Sequence, residues 1–277
     1  MTQRPPRPAP VRKPYVAGHF YPGDREILRR EIDSLLKCSE GGPRPARGVV
    51  VPHAGYMYSG SVAGAVYGTA LLPRRLVILG PNHTGLGRPI SVMNRGAWET
   101  PLGTVAIDET LADLILDATS AADADEAAHR AEHALEVQIP FLQVSLGEFT
   151  FAPICVGTGR LSDLESLAAG VATALRSIGD PAGIVISTDM THYEPADVAH
   201  EKDHKAIRKM EALDAEGLHG LVRREAISMC GYAPATAGLL ALKQLGATSA
   251  RLVAYANSGD TSGDYREVVG YAGLIVP

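Results

Sequence analysis

The chain has 277 residues, of which 45% are hydrophobic and 21% charged, a composition typical of a folded globular protein with one large or two small domains. A net charge of −5 and an aromatic content of 5% leave no basic or base-stacking surface, so nucleic acid is excluded as the expected partner. Three scattered cysteines are too few for a disulfide framework and favour a reducing, cytoplasmic location.

The first residues, MTQRPPRPAPVRKP, are rich in proline and basic residues and lack the apolar stretch of a secretory signal. We predict a disordered tail over residues 1–14. Residues 15–277 are predicted to form a single domain, because neither a low-complexity linker nor a repeat divides them.

Residues 48–73 contain no Asp, Glu, Lys or Arg and are the candidate for a membrane span. A proline, a histidine and several glycines interrupt this stretch, so we expect no membrane segment. Gly60, Gly64 and Gly68 instead predict a helix that lies close against a sheet.

Short β-branched runs alternate with helical stretches along the chain, which predicts an α/β domain with a mixed or mainly parallel sheet and helices on both faces. In chain order we predict a helix over Asp24–Lys37, a strand over Gly48–Val51, a helix over Ser61–Leu72, a strand over Leu76–Leu79, helices over Asp108–Thr119 and Ala131–Leu146, a strand over Phe151–Val156, a helix over Leu161–Ser177, a strand over Gly183–Ser187, helices over Ala196–Leu213 and Ala235–Leu245, and strands over Arg251–Ala256 and Val268–Ile275.

Three apolar runs are followed by a histidine, namely His53, His83 and His192. Ligands bind beyond the carboxyl ends of strands in open α/β sheets, so these imidazoles are expected to converge on one crevice. Imidazole is the commonest side-chain metal ligand, and two histidines with one anionic ligand leave open positions on iron. Asp189 and Cys230 are the alternatives for the anionic ligand.

Two strings match metalloprotease signatures and are alternative sites. HEKDH, from His200 to His204, has the H-E-x-x-H pattern, and HRAEH, from His129 to His133, has the H-x-x-E-H pattern. On a helical wheel His204 lies far from the apolar stripe and is expected to face water. The charges of Lys202 and Asp203 also favour a solvated helix, so a zinc site is not favoured there.

The second string follows an Ala/Asp-rich segment that provides no clear scaffold, and it precedes Pro140. Proline kinks a helix or begins a new turn, which disfavours two zinc ligands on one helix face. His133 and Glu136 remain candidates for a different pocket.

Five motifs follow one another along the chain and form one pattern. They are HAGYMYSG around His53, LGPNHTG around His83, EHALEVQIPFL around His133, STDMTHYEP around Asp189 and His192, and MCGYAPATAG around Cys230. Together they resemble the Memo family, whose bacterial and archaeal members are often called AmmeMemoRadiSam system protein B. The resemblance extends from Val16 to Pro277.

The resemblance implies a fold similar to the class III extradiol dioxygenases, the LigB-like non-haem iron enzymes. It implies that His53 and His83 are metal ligands and that Cys230 replaces the carboxylate ligand. His192 corresponds to an acid/base histidine, with Asp189 beside it to orient it or share its charge. Iron(II) is the metal expected from the resemblance, with copper or zinc as alternatives.

The chain departs from the family pattern at AGHFYP, where His19 and Phe20 replace a serine and a tryptophan. Phe20 and His133 are predicted to line the substrate pocket, and Phe20 is suited to stack on an aromatic small-molecule substrate. The resemblance also implies an AMMECR-like protein and a radical SAM protein as partners. The function is therefore either a metal-dependent oxidoreductase or a metal-binding adaptor or metallochaperone with a degenerate pocket.

Overall fold

The structure is a computed structural model that describes residues 10–36 and 42–277. Residues 1–9 of the predicted tail, Lys37 at the end of the first predicted helix, and Cys38 lie outside the described residues.

Strands and helices alternate along most of the chain. The strands are β1 (Val11–Arg12), β2 (Arg44–Pro45), β3 (Gly48–Val51), β4 (Ala70–Leu71), β5 (Arg75–Pro81), β6 (Ile90–Val92), β7 (Ala97–Thr100), β8 (Gly103–Ala106), β9 (Asp123–Ala124), β10 (Thr150–Val156), β11 (Gly183–Ser187), β12 (His192–Glu194), β13 (Arg251–Asn257) and β14 (Val268–Val276). The helices are α1 (Arg25–Leu35), α2 (Tyr56–Thr69), α3 (Glu109–Ala118), α4 (Gln138–Leu146), α5 (Leu161–Ser177), α6 (Ala196–Glu211), α7 (Ala215–Arg224), α8 (Tyr232–Gln244) and α9 (Gly259–Ser262).

The main sheet has the strand order β12-β14-β3-β11-β5-β10-β6-β9, and β13 pairs with the outer side of β14. Its centre, formed by β3, β11, β5 and β10, is parallel, whereas β14 runs antiparallel to β3 and β6 runs antiparallel to β10. Every residue of β3 and β11 is buried, as expected for strands covered on both faces. The predicted α/β fold with a mixed sheet is confirmed.

Alternate residues of β3 contribute to two hydrophobic cores, one on each face of the sheet. Val50 packs into the core that contains the buried faces of α3, α5, α6, α7 and α8. Val49 and Val51 pack into the other core, with α1, α2 and α4.

The largest differences between predicted and observed helix bounds are at the starts of α2 and α4. Helix α2 begins at Tyr56 rather than Ser61, because the backbone N–H of Tyr56 is satisfied by the carbonyl oxygen of Phe20 at 2.7 Å. The predicted helix Ala131–Leu146 is wrong over residues 131–137, which form turns. Helix α4 starts at Gln138, so Pro140 lies in its first turn, where the missing N–H leaves no bond unmade.

The predicted tail is ordered where the structure describes its end. Strand β1 pairs in parallel with β7, and Arg12 lies opposite Trp98. The guanidinium carbon of Arg12 is 4.2 Å from the centre of the Trp98 ring, and Nη1 is 2.7 Å from Oε2 of Glu136. A boundary at residue 14 is therefore wrong for Val11 and Arg12, because a buried carboxylate fixes this part of the chain.

Gly60 and Gly64 of α2 pack against Leu35 of α1, rather than against the sheet as predicted. A Cβ atom on Gly64 would lie 2.2 Å from the carbonyl oxygen of Leu35, so Gly64 admits the end of α1 rather than the sheet. On the sheet side, Gly273 of β14 makes room for Val62 and Val66 of α2. Among the described residues, no helix combines the length and hydropathy needed to cross a membrane.

Candidate metal centre

Three imidazoles meet in one cavity at the carboxyl ends of the parallel strands. His53 follows β3, His83 follows β5, and His133 lies in the turns before α4. One ring nitrogen of each histidine lies within 4.8 Å of the others. The ring centres are 5.2 Å apart for His53 and His83, 4.6 Å for His83 and His133, and 5.4 Å for His53 and His133. The structure thus brings the two strand-end histidines together and adds His133.

Electrostatics favour neutral rings at His53 and His133. Burial lowers the pKa of His53, and the neighbouring imidazoles of His133 and His83 lower it further. Burial also lowers the pKa of His133. The charge of Glu132 raises this pKa, and His83 lowers it, so that the net shift is downward. Neutral imidazoles carry the lone pair that a metal ion requires.

A buried carboxylate orients His83. Glu132 accepts hydrogen bonds from the backbone N–H of His83 at 2.6 Å and from its ring Nδ1 at 2.8 Å. Burial alone would raise the pKa of Glu132, but the hydrogen bond and charge of His83 outweigh it and hold that pKa below its usual range. Because Nδ1 donates to the carboxylate, Nε2 is the nitrogen that carries the lone pair in the neutral ring of His83, an arrangement typical of histidines that bind metals.

His53 has a different set of neighbours. Its backbone N–H donates to Oδ1 of Asp189 at 2.7 Å, and its ring Nδ1 lies 2.9 Å from Oγ of Ser187. The other ring nitrogen, Nε2, lies 3.2 Å from Sγ of Cys230 and 3.9 Å from Oδ2 of Asp189. Burial raises the pKa of Asp189 to about 6.

Cys230 lies beside the imidazole group rather than within the set of three that share the 4.8 Å limit. Burial and the nearby charge of Asp189 raise the pKa of the Cys230 thiol. The thiol is therefore protonated near neutral pH, and its S–H can donate to Nε2 of His53. His133, which was predicted only as a pocket residue, joins the two predicted histidine ligands in this set.

His192 lines the same cavity on strand β12. Its Nδ1 lies 2.8 Å from the carbonyl oxygen of Met190 and 2.9 Å from that of Ser228. A carbonyl oxygen only accepts, so Nδ1 carries a hydrogen, and in the neutral ring Nε2 carries the lone pair. These two carbonyl groups, rather than Asp189 as expected, orient the ring, because the carboxylate of Asp189 faces the backbone of His53.

The cavity has a volume of about 810 Å³, and its wall contains several aromatic rings. Phe20, Tyr58, Tyr193 and Tyr271 all line it. The ring of Phe20 lies 4.8 Å from that of His133, measured between centres. Such a wall suits an apolar or aromatic small molecule.

The HRAEH string does not form a two-histidine zinc site. Residues 131–137 are not helical, so His129 and His133 do not share a helix face. His129 is fully buried, with Nδ1 3.3 Å from Sγ of Cys155 and Nε2 3.1 Å from the carbonyl oxygen of Ser91. Its pKa is lowered by burial to about 4.

The HEKDH string lies on α6. The rings of His200 and His204 stack with centres 3.9 Å apart, and His200 is exposed. The expectation that Asp203 faces solvent is wrong, because Asp203 is fully buried. It accepts hydrogen bonds from the backbone N–H of Thr191 and the hydroxyl of Tyr255, both at 2.9 Å.

Three further residues of the site were not identified from the sequence. Glu132 is the glutamate of the HRAEH string, and its position next to His133 in the sequence could have identified it. Ser187 at the end of β11 and Gln138 at the start of α4 left no signal of their own, because their contacts depend on the tertiary fold.

The fold and the cavity together define an α/β protein with a candidate three-histidine metal site at the carboxyl edge of its sheet. Comparison with known proteins identifies one family. A sequence model described as "Memo-like protein" matches residues 12–275, and the chain belongs to this family.

The relatives of this chain include proteins from archaea and bacteria. A MEMO1 family protein of Methanopyrus kandleri is 43% identical over 277 residues, which cover 95% of this chain and 98% of the relative. A MEMO1 family protein of Aquifex aeolicus is 46% identical over 266 residues, covering 96% and 98%. One from Methanosarcina acetivorans is 44% identical over 267 residues, covering 96% and 99%.

Proposed function

We propose that this protein is a metal-dependent oxidoreductase whose metal ion is held by His53, His83 and His133. The observation that carries the proposal is the set of three ring nitrogens within 4.8 Å of one another in a cavity. Imidazole nitrogens suit iron, copper and zinc, and kinship with the LigB-like extradiol dioxygenases, which we also propose, favours iron(II).

The donor groups fit a metal ion in their chemistry. The Nδ1 atom of His83 is occupied by a carboxylate, which leaves Nε2 for a metal. Cys230 is the proposed fourth donor, because its sulfur lies 3.2 Å from Nε2 of His53. Thiolate rather than thiol is the ligand form, so metal binding at Cys230 requires the loss of its proton.

A bound metal ion would supply Lewis-acid and one-electron chemistry toward a small-molecule substrate and dioxygen. His192 is the proposed acid/base residue, since its Nε2 holds a lone pair and the ring lines the cavity. Asp189 supports this role because its carboxylate lies close enough to His192 and His83 to interact with their charges. Phe20 and the tyrosine rings are proposed to bind an aromatic substrate and to exclude water.

The test is a metal analysis and an oxygen-consumption assay on protein purified anaerobically without chelator. We expect bound iron or copper and oxygen consumption with catechol-type compounds. His192→Ala should keep the metal and lower turnover about a hundredfold to ten-thousandfold. Protein that takes up no metal, even when iron(II) is supplied, contradicts the proposal.

One outcome of the same experiment distinguishes a second function. Stable metal binding without oxygen consumption, together with co-purification of an AMMECR-like or radical SAM protein, would support a metal-binding adaptor or metallochaperone. The group of three histidines is compatible with both functions, and turnover separates them.

A further inference from the structure

A chain of buried polar side chains leads from helix α2 to His53. Tyr67, Gln138, Ser187 and His53 are each no more than 2% exposed. The hydroxyl of Tyr67 lies 2.9 Å from Oε1 of Gln138, and Nε2 of Gln138 lies 2.9 Å from Oγ of Ser187. The same Oγ lies 2.9 Å from Nδ1 of His53. We call the side chains of Tyr67, Gln138 and Ser187 the relay.

Backbone carbonyl groups determine the direction of every hydrogen bond in the relay. The carbonyl oxygen of Pro52 lies 2.9 Å from the amide nitrogen of Gln138. Because a carbonyl oxygen only accepts, the NH₂ end of Gln138 must face Pro52, and its second hydrogen points to Ser187. The oxygen end of Gln138 then accepts from Tyr67.

Ser187 has only one hydrogen to donate, and it is already used. Its hydroxyl donates to the carbonyl oxygen of Ala134 at 2.6 Å. One of the two acceptor sites of the hydroxyl takes the hydrogen from Gln138. The contact with His53 can therefore form only if Nδ1 of His53 carries the hydrogen and donates it to Ser187.

A neutral imidazole has a single ring hydrogen, so Nε2 of His53 must then carry the lone pair. This nitrogen is the one that lies 3.2 Å from Sγ of Cys230. Glu132 produces the same arrangement at His83 with a charged group, whereas the relay produces it with neutral groups.

We propose that Gln138 and Ser187 are positioning residues that hold His53 in its Nδ1–H tautomer and so aim the Nε2 lone pair at a cation in the cavity, and that Tyr67 stabilises these two side chains without determining the tautomer. The role of that lone pair in metal binding rests on the proposed function, whereas the tautomer itself is independent of it. Partners that hold the second ring nitrogen of a metal-binding histidine commonly change metal affinity about tenfold to hundredfold when they are lost.

The tautomer is measured by nitrogen NMR on metal-free protein labelled with ¹⁵N-histidine, at about pH 8, where an ordinary imidazole is neutral. A His53→Gln variant assigns the signals. We expect wild-type His53 to carry its hydrogen on Nδ1 alone. In Ser187→Ala both tautomers should be populated, and cobalt(II) affinity should fall about tenfold to hundredfold.

Two variants separate this role from a general loss of packing. In Tyr67→Phe the carbonyl groups of Pro52 and Ala134 still determine the hydrogen bonds, so we expect a lower melting temperature with an unchanged tautomer. Thr236→Val removes an equally buried hydroxyl from α8, away from the relay, and should alter neither the tautomer nor cobalt(II) affinity.

The wild-type spectrum tests the inference even if Ser187→Ala fails to fold. A wild-type His53 with its hydrogen on Nε2 would overturn the relay, and cobalt(II) binding by that protein would leave the proposed function standing. An unchanged tautomer and unchanged affinity in folded Ser187→Ala would also overturn the relay. An Nδ1–H tautomer without cobalt(II) binding would support the relay and count against the proposed function.

Discussion

Glu132 holds His83 by two hydrogen bonds, one from the backbone at 2.6 Å and one from ring Nδ1 at 2.8 Å. The carboxylate is fully buried. It therefore fixes both the path of the chain and the orientation of the imidazole. This arrangement is the strongest evidence that His83 is preorganised to bind a metal ion.

The first prediction concerns this carboxylate. Glu132→Gln removes the charge and one acceptor, so cobalt(II) affinity measured by titration should fall about tenfold to hundredfold. Glu136→Gln is the matched control, because Glu136 is equally buried but binds Arg12 and Tyr21 instead of a histidine. Equal losses of affinity in the two variants would show that Glu132 acts only through stability.

The second prediction concerns the buried ion pair between Arg12 and Glu136. Arg12→Met leaves the Glu136 charge without its partner, and the free energy of unfolding should fall by about 3 to 5 kcal/mol. Denaturant unfolding measures this loss. Lys13→Met breaks an exposed pair with Glu99 in the same segment and should have a much smaller effect. A loss at Arg12 no larger than at Lys13 would contradict the anchoring of this segment.

The third prediction concerns the contact between α1 and α2. Gly64→Ala gains about 1 kcal/mol of helix propensity but forces a methyl group against the backbone of Leu35, which should cost about 1 to 3 kcal/mol or more. We expect a net loss of stability in thermal unfolding. Gly60→Ala meets the flexible end of the Leu35 side chain most closely, and Cβ of Tyr56 at 3.3 Å, and should be better tolerated because no backbone atom is in the way. A stabilised Gly64→Ala variant would refute the close contact.

Much of this fold could be predicted because its central strands are continuous β-branched runs. The strand Gly48–Val51 was predicted with its observed bounds, since burial on both faces leaves an unbroken apolar sequence. Short strands such as Ile90–Val92 and the helix Ala215–Arg224 were not predicted. Their sequences are too short or too polar to stand out, and tertiary contacts stabilise them.

The candidate site was predicted in part. His53 and His83 were identified because each follows a buried strand, and the structure places them in one cavity. His133 was predicted as a pocket residue, but its place in the imidazole group depends on turns that were mistaken for a helix. Glu132 is hydrogen-bonded to His83, 49 positions away along the chain, and Ser187 to His53, 134 positions away. Sequence spacing contains no information about such contacts.

The fourth prediction concerns pH and His129. The unfolded chain binds a proton on this residue at about pH 6.5, whereas in the folded protein burial lowers the pKa to about 4. Stability from His129 is therefore complete above pH 6.5 and is lost as the pH falls toward 4. The loss should reach about 3 kcal/mol, at roughly 1.4 kcal/mol per pKa unit.

The measurement is the free energy of unfolding from denaturant titrations at several pH values, for wild type and His129→Gln. Other buried groups contribute equally to both proteins, so the difference between them isolates His129. We expect the two curves to converge as the pH falls from 6.5 to 4. A constant difference over that interval would contradict a neutral, buried His129.

The central claim is that His53, His83 and His133 together hold a metal ion. Its most direct test is the iron, copper and zinc content of protein purified anaerobically without chelator, measured by mass spectrometry. We predict a stoichiometric metal in wild type and in the control His204→Ala, which changes a half-buried histidine of α6 outside the cavity, and its loss in His53→Ala, His83→Ala and His133→Ala. Folded variants of these three histidines that all retain the wild-type metal content would contradict the account.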